Sequence, residues 1–256
     1  MKKIFTLLLL MVSLFATAQQ NGAAEHMYIH RSNGVVDSVA VAEIDSVTFA
    51  IPTVPGTPVT PPAEAEYQAV DLGLSVKWAT FNVGATKPEE YGGYYAWGET
   101  EEKSDYSWST YKWCNGSYKT MTKYCTDSYY GTDDNKTILD PGDDVAHVKW
   151  GDCWRMPTSD ELKELKNNCT WTWTTQNGVN GYKVTSKTNG NSIFLPAAGD
   201  HYGANFYDSG NNGNYWSNSL VGSSNYGAYG LVFDSSGYDW GGYDRCYGRS
   251  VRPVCE

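Results

Sequence analysis

The chain has 256 residues and a formal net charge of −10, with 14% aromatic and 41% hydrophobic residues. This acidity argues against nucleic acid as a partner, because phosphates would be repelled rather than neutralised. The apolar content is enough to fill one substantial core.

The first 18 residues have the pattern of a secretory signal peptide. Lys2 and Lys3 form a basic start, residues 4–15 are apolar, and Ala16-Thr17-Ala18 offers a small-residue cleavage site. The apolar run is shorter than the roughly 20 residues that a spanning helix needs, so we expect no membrane span. These features predict an exported protein that is periplasmic, on the cell surface or extracellular.

Residues 19–51 are predicted to form a small N-terminal β segment. Met27–His30 and Ile44–Phe49 are apolar stretches separated by the turn signal Ser32-Asn33-Gly34, a pattern that favours two or three short strands. A β structure of this size is marginal alone, so we expect it to dock on the main domain or on a partner.

A proline-rich linker is predicted at residues 52–66, where prolines occur at positions 52, 55, 58, 61 and 62. Such a tract favours extended polyproline conformation and acts as a semi-rigid spacer. It marks a domain boundary, and residues 67–256 are of ordinary single-domain size.

The first part of this main domain carries three strand patterns, Ala69–Leu74, Val76–Val83 and Tyr91–Gly98. Residues 100–149 are polar and irregular, which is typical of a long insertion. We expect cysteines to hold this insertion at least partly.

The sharpest local signal is a helix start at Thr158. Thr158 is a good N-cap residue, and Glu161 completes a capping box. Leu162 and Leu165 lie three apart on one face, so the sequence predicts one main helix near residues 158–167. Arg155 and Asp160 beside it are interpreted as scaffold, because a carboxylate in a first helical turn favours the helix dipole.

Further strands are predicted after the helix. Asn-Gly turn signals at 177–178 and 189–190 separate alternating segments, which indicates hairpins. The sum is an α+β domain with far more strand than helix. The predicted strands are Thr170–Thr174, Gly181–Thr185, Ser192–Pro196, Tyr215–Ser219, Ala228–Asp234 and Ser250–Cys255.

The cysteines are even in number, and in an exported chain that favours disulfides over metal ligation. Spacing favours one local bridge, Cys114–Cys125, and leaves the remaining pairing open. The six disulfide candidates are Cys114, Cys125, Cys153, Cys169, Cys246 and Cys255.

Several dense motifs resemble the Fibrobacter succinogenes major paralogous domain, a family of exported bacterial domains. The resemblance covers residues 70–256. The opening of the N-terminal β segment also resembles a short leader segment common in exported proteins of Bacteroidota. The motifs are Val70-Asp71-Leu72-Gly73-Leu74, Trp154-Arg155-Met156-Pro157-Thr158, Asn168-Cys169-Thr170-Trp171, Leu195-Pro196-Ala197-Ala198-Gly199 and Ser250-Val251-Arg252-Pro253.

The resemblance implies a C-type-lectin-like fold with a mixed or antiparallel sheet, few helices and long irregular loops where ligands bind. By the same analogy Cys169 would pair with Cys255, leaving Cys153 and Cys246. The family supplies no catalytic residues that could be carried over.

Residues 199–250 are rich in Tyr, Trp, Gly and Asn and poor in aliphatic side chains. Aromatic faces stack on sugars, and Asn and Asp bond hydroxyl groups, so this region is the predicted ligand surface. The alternative is that these aromatics pack a loop-rich domain. The candidates are Tyr207, Tyr238, Asp239, Trp240, Tyr243 and Asp244.

Metal and catalytic interpretations are weaker. Asp133-Asp134 and Asp140–Asp144 could supply calcium ligands, but the EF-hand spacing and the lectin calcium motif are missing, so a solvated acidic loop is preferred and no cofactor is expected. His147 could serve as a base oriented by Asp143 or Asp144, but the sequence contains no nucleophile motif, so a surface histidine is preferred. Cys246 and Cys255 lie where formylglycine-generating enzymes need reactive cysteines, but structural disulfides are preferred.

Three functions follow from these patterns. A secreted or cell-surface, non-catalytic binding module for glycans or surface proteins is favoured. The first alternative is an enzyme, either polysaccharide-active or a formylglycine-generating-like oxidase. The second is a structural component of a surface assembly, with the N-terminal β segment supplying a strand to a neighbour.

Overall fold

The computed structural model describes residues 68–256 and the backbone of two short strands before them. The chain divides into two compact units, with the boundary between Val59 and Thr60. In the first unit, β1 (His26–His30) and β2 (Val36–Ala40) form an antiparallel hairpin.

This hairpin lies within the segment predicted to form a small N-terminal β structure. β1 contains the strand expected at Met27–His30, whereas the sequence does not predict β2. The expected strand Ile44–Phe49, the signal peptide at 1–18 and the linker at 52–66 lie outside the described residues.

Residues 68–256 are mostly β structure with few helices, and every ladder between named strands is antiparallel. No helix among the described residues has the length and apolar character to cross a membrane. The elements are β3 (Ala69–Val70), β4 (Lys77–Ala79), a 3₁₀ turn (Pro141–Asp143), α1 (Val145–Trp150), α2 (Ser159–Asn168), β5 (Cys169–Gln176), β6 (Val179–Ser186), β7 (Ser192–Pro196), β8 (Asp200–Tyr202), β9 (Asn205–Tyr207), β10 (Gly213–Leu220), β11 (Gly227–Asp234), β12 (Gly237–Asp244) and β13 (Val254–Cys255). The strand orders are β13-β4-β3, β5-β6-β7 and β10-β11-β12, and β8 pairs with β9.

Helix α2 begins where the sequence predicts it. The Thr158 side chain accepts from the Glu161 N–H at 3.2 Å, and the Glu161 carboxylate accepts from the Thr158 N–H at 2.7 Å. Leu162 and Leu165 are buried in a core shared with Leu195 and residues of β11 and β13. The capping box and the apolar pair thus fix both the start of the helix and the face it buries.

Arg155 extends this cap into an ion pair. Its guanidinium donates to both carboxylate oxygens of Glu161, at 2.8 and 2.7 Å. Burial opposes ionisation of Glu161, but the hydrogen bonds from Arg155 and Thr158 lower the pKa of its carboxyl overall. Asp160 pairs separately with Lys163 at 2.9 Å, so Arg155 and Asp160 serve the helix and do not share a site.

The hairpin of β5 and β6 confirms the Asn-Gly signal. Asn177 and Gly178 have φ values of 49° and 85°, as a two-residue type I′ turn requires. The two strands pair along their full length, from Cys169 opposite Ser186 to Gln176 opposite Val179. Local sequence is therefore sufficient to fix this register.

The C-terminal segment, residues 248–255, runs between the sheets and the loops. Most of it is not a strand, although the sequence predicts one over Ser250–Cys255; only β13 is. Its carbonyl groups accept hydrogen bonds from backbone N–H groups in distant parts of the chain. We call this segment the seam, because it joins those parts. The pairs are His201 to Gly248 (2.8 Å), Tyr95 to Arg249 (3.0 Å), Trp216 to Ser250 (3.0 Å), Val83 to Val251 (3.0 Å) and Ala79 to Pro253 (2.9 Å).

The disulfide pairing differs from both expectations. Cys153 bonds to Cys255, so the Cys169–Cys255 pairing is wrong. The backbone of Arg155 forms an antiparallel β-bridge with that of Val254, and this pairing brings Cys153 beside Cys255. Cys169 instead packs in the core with Leu165.

The expected local bridge is also wrong. Cys114 and Cys125 are free thiols, and the Cys125 thiol donates to the Asp127 carbonyl at 3.2 Å. Cys114 lies opposite Met121 in a backbone bridge rather than opposite Cys125. Cys246 is likewise free and buried.

Two further expectations need correction. Tyr91–Gly98 is not a strand, because Gly92 and Gly98 take positive φ values of 74° and 77° that interrupt an extended backbone. Residues 100–149 are irregular as predicted up to the 3₁₀ turn, but they end in helix α1, which is capped by the Asp144 side chain.

Thiol titration of the unfolded, unreduced protein is expected to find four thiols, those of Cys114, Cys125, Cys169 and Cys246. Cys153→Ser should lower the free energy of unfolding by about 2–5 kcal/mol, because the bond constrains a long stretch of the unfolded chain. Urea unfolding measures this, with wild type under reductant as the control. A titration that finds six thiols would contradict the Cys153–Cys255 bond, and one that finds none would contradict the four free cysteines.

Glu161→Gln should lower the free energy of unfolding by about 1–3 kcal/mol at neutral pH, because the charge-assisted bonds from Arg155 are lost. The pKa of Glu161 is lowered in the folded state, so its contribution is present above its unfolded pKa of about 4.3. It is lost as the pH falls through the folded value. Urea unfolding between pH 7 and pH 3 should therefore show the difference shrinking, whereas the exposed control Asp160→Asn should cost much less throughout.

Candidate functional site

The six predicted ligand residues do not form one site. Tyr207 lies on β9 with 44% of its surface exposed. The other five lie on β12, which is a regular strand and not the irregular loop that the sequence suggests. Its full pairing with β11, from Gly227 opposite Asp244 to Asp234 opposite Gly237, makes it part of a sheet.

Side chains of β12 contact neighbouring elements. Tyr238 stacks on Trp171 with ring centroids 4.5 Å apart and planes 18° apart. Asp239 forms an ion pair with Lys166 of α2 at 2.6 Å. These contacts fasten β12 to β5 and α2.

Trp240 and Tyr243 also have protein partners. The Lys163 ammonium lies 4.3 Å from the Trp240 ring centroid, and the Arg249 guanidinium lies 3.9 Å from that of Tyr243. Tyr243 borders a groove of about 240 Å³ together with Tyr238 and Asp239. That groove brings three of the six candidates together, and ligand contact there stays a prediction.

Asp244, the sixth candidate, lines a different and larger space. We name this space the aromatic cavity; it has a volume of about 460 Å³, within the range typical of ligand sites. Its lining combines five aromatic rings with one cation and one carboxylate. The residues are Trp108, Tyr118, Lys119, Tyr129, Tyr130, Tyr226 and Asp244.

The five rings form a continuous arc. Tyr118 and Tyr129 are 39% and 61% exposed, so the arc presents contiguous aromatic surface to solvent, as interaction sites do. Successive ring centroids lie 6.3 Å (Trp108 to Tyr118), 5.5 Å (Tyr118 to Tyr226), 5.7 Å (Tyr226 to Tyr130) and 5.0 Å (Tyr130 to Tyr129) apart.

Asn225 joins the segments that carry these rings. This side chain is buried in the turn between β10 and β11, next to Tyr226. Its carbonyl oxygen accepts from the N–H groups of Thr126 and Asp127, and its amide donates to the Thr126 hydroxyl at 3.1 Å. The Tyr226 turn is therefore fixed to the segment that leads to Tyr129.

Arg245 supports the same segments from inside the protein. It is fully buried and donates to the carbonyl oxygens of Tyr124 at 2.7 Å, Asn225 at 3.1 Å and Lys123 at 3.2 Å. A buried guanidinium with several acceptors holds each of them firmly, because losing one would leave a buried donor unsatisfied. The cavity wall is thus preorganised.

The two charges of the cavity differ in their surroundings. The Lys119 ammonium lies 5.6 Å and 5.1 Å from the ring centroids of Tyr118 and Tyr129, and contact with the Tyr129 hydroxyl raises its pKa. Burial raises the pKa of Asp244, while the charge of Arg249 opposes that rise. Within the described part of the chain, the Asp244 carboxylate has neither a hydrogen bond nor an ion pair.

The acidic stretch considered for calcium is occupied by protein contacts. Asp140 and Asp143 each pair with Lys123 at 2.6 Å. Asp134 accepts the Tyr124 N–H at 2.9 Å. Among residues 68–256, no three His, Cys, Asp or Glu side chains are grouped as a metal site would need.

The cysteine and histidine candidates have structural roles as well. Cys255 is bonded to Cys153, and burial strongly raises the pKa of the free Cys246 thiol. A buried thiol of raised pKa is a poor nucleophile. Asp144 accepts the backbone N–H of His147 at 3.1 Å as a helix cap.

Sequence reasoning misses most of the aromatic cavity. Trp108, Tyr118, Tyr129 and Tyr130 lie in the stretch interpreted as a polar insertion, and only Asp244 is among the predicted residues. The density of Tyr and Trp between residues 106 and 130 is a signal that could have drawn attention there.

Comparison with known proteins adds no identification: no family model, curated protein or solved structure matches the chain. The resemblance to the Fibrobacter succinogenes major paralogous domain therefore stays a prediction.

Asn225→Ala should lower the free energy of unfolding by about 1–3 kcal/mol, because the buried Asn225 side chain no longer accepts from the N–H groups of Thr126 and Asp127. Hydrogen exchange should accelerate selectively at residues 117–131. Asn189→Ala, which removes an exposed side-chain bond to the Asp71 carbonyl, is the matched control and should change neither property appreciably. Unchanged exchange at 117–131 would show that Asn225 does not hold the cavity.

Proposed function

We propose that residues 68–256 form a non-catalytic recognition module that binds glycans through the aromatic cavity, in a protein exported to the periplasm, cell surface or exterior. The arc of five rings beside an unpartnered carboxylate carries this proposal. The predicted signal peptide and the resemblance to a lectin-like family support the same function and compartment.

The chemistry of the cavity suits a sugar. The C–H face of a pyranose ring packs on an aromatic face, and several adjoining rings can hold more than one sugar unit. The Asp244 carboxylate can accept from hydroxyl groups, and the Lys119 ammonium can donate to them. The preorganised wall lowers the entropy cost of binding.

The enzyme alternatives have less support. Glycoside hydrolysis commonly uses two carboxylic acids across the scissile bond, and among residues 68–256 the aromatic cavity is lined by one carboxylate, that of Asp244. An oxidase would need the Cys246 and Cys255 thiols together, but Cys255 is in a disulfide. A surface protein could use the same rings, so the test includes protein ligands.

Tyr118→Ala and Tyr129→Ala should each weaken glycan binding about 3- to 10-fold, because each removes a stacking face worth about 0.5–1.5 kcal/mol. Both side chains are exposed, so the fold should persist. A glycan array, followed by calorimetry on any hit, measures this. Tyr202→Ala is the matched control, because Tyr202 is 51% exposed and lies outside the cavity lining.

Two results would contradict the proposal. One is binding that survives both cavity variants unchanged. The other is an array without hits while a protein partner is captured and lost on Tyr129→Ala, which would reassign the cavity to protein recognition.

A further inference from the structure

We infer that the aromatic cavity selects amino sugars, with the protonated amine of the sugar docking at the Asp244 carboxylate. This inference rests on the proposed glycan-binding function and names the class of glycan. The reason is that Lys119 already lies over two of the aromatic rings, whereas within residues 68–256 the Asp244 carboxylate and the other three rings have no cation in contact.

Among the described residues, Asp244 has no counter-ion in contact with its carboxylate. Its carboxylate is half-buried and makes no hydrogen bond or ion pair within the described residues. The cation whose charge it feels is Arg249, which pairs with Asp200 at 3.3 Å and stacks on Tyr243. A partly desolvated carboxylate without a partner gains most from a ligand that brings a positive charge.

The rings favour a cation as well, because the negative face of an aromatic ring attracts positive charge. Lys119 already lies over Tyr118 and Tyr129. No Lys or Arg of the described chain lies over the three remaining rings, those of Trp108, Tyr130 and Tyr226.

The carboxylate and the free rings are neighbours. Asp244 lies opposite Gly227 in the ladder of β11 and β12, and the next N–H along, that of Arg245, donates to the Tyr226 carbonyl at 3.0 Å. Asp244 and Tyr226 therefore start from adjacent backbone positions. An ammonium held at Asp244 places its sugar ring within reach of the Tyr226 face.

An acidic sugar fits less well. Asp127 adds a second carboxylate near the rings, since its side chain accepts the Tyr129 N–H at 2.9 Å. Lys119 is the one cation that residues 68–256 contribute to the lining, and no ion pair joins it to Asp244. A ligand anion would be repelled by the carboxylates of Asp244 and Asp127 and attracted by one solvated lysine.

The test compares β-1,4-linked oligomers of equal length built from glucosamine, glucose, N-acetylglucosamine and glucuronic acid, at a pH where the amine is charged. Calorimetry should show glucosamine binding about tenfold more tightly than glucose, with glucuronic acid weakest. Asp244→Asn should abolish the preference for glucosamine while leaving glucose binding. Asp239→Asn, on the same strand but outside the cavity lining, is the matched control and should retain the preference.

A second variant avoids the half-buried position. Lys119→Gln, at an exposed residue, should strengthen glucosamine binding by removing a like charge. Equal binding of glucose and glucosamine by wild type, or tightest binding of glucuronic acid, would overturn the inference and leave the glycan-binding proposal standing. Failure of every oligomer and of the wider array would overturn both.

Discussion

Two buried arginines, Arg245 and Arg252, tie the loops of this domain to its C-terminal end. Arg252 donates to the carbonyl oxygens of Ala79, Thr80 and Phe194, and Arg245 holds the loop at 123–124. Burial lowers the pKa of Arg252 to about 10. Burying a guanidinium costs free energy unless its N–H groups have acceptors. Displacing a loop that supplies such an acceptor would therefore leave a buried N–H group unsatisfied. Loop carbonyl groups that have no strand partner thereby find their hydrogen bonds at buried side chains.

This constraint explains how a long irregular stretch can carry a defined site. Residues 98–140 contain no regular element, yet Asn225 and Arg245 fix the backbone on which the cavity rings stand. Asp244 and Arg245 are consecutive, so one lines the cavity while the other anchors the loops behind it. The end of β12 thus carries both Asp244, the candidate ligand-binding carboxylate, and Arg245, the residue that holds the loops behind it.

Features encoded within a few residues could be predicted from the sequence. Helix α2 follows from Thr158, Glu161 and the spacing of Leu162 and Leu165, and the β5–β6 hairpin follows from Asn177-Gly178. The pairing of Cys153 could not be predicted, because it depends on the seam bringing β13 beside Arg155. Long-range packing also decides which aromatic residues at 199–250 are covered by other parts of the chain, so the sequence could not distinguish core aromatics from ligand-binding ones.

The sequence by itself determined the mainly β character of the described domain, its capped helix and its tightest hairpin, because those depend on local capping, turn geometry and hydrophobic period. Only the tertiary structure decided which cysteines bond and which rings meet. Trp108, Tyr129 and Tyr226 lie far apart in the chain, and long-range packing around Asn225 and Arg245 brings them into one cavity.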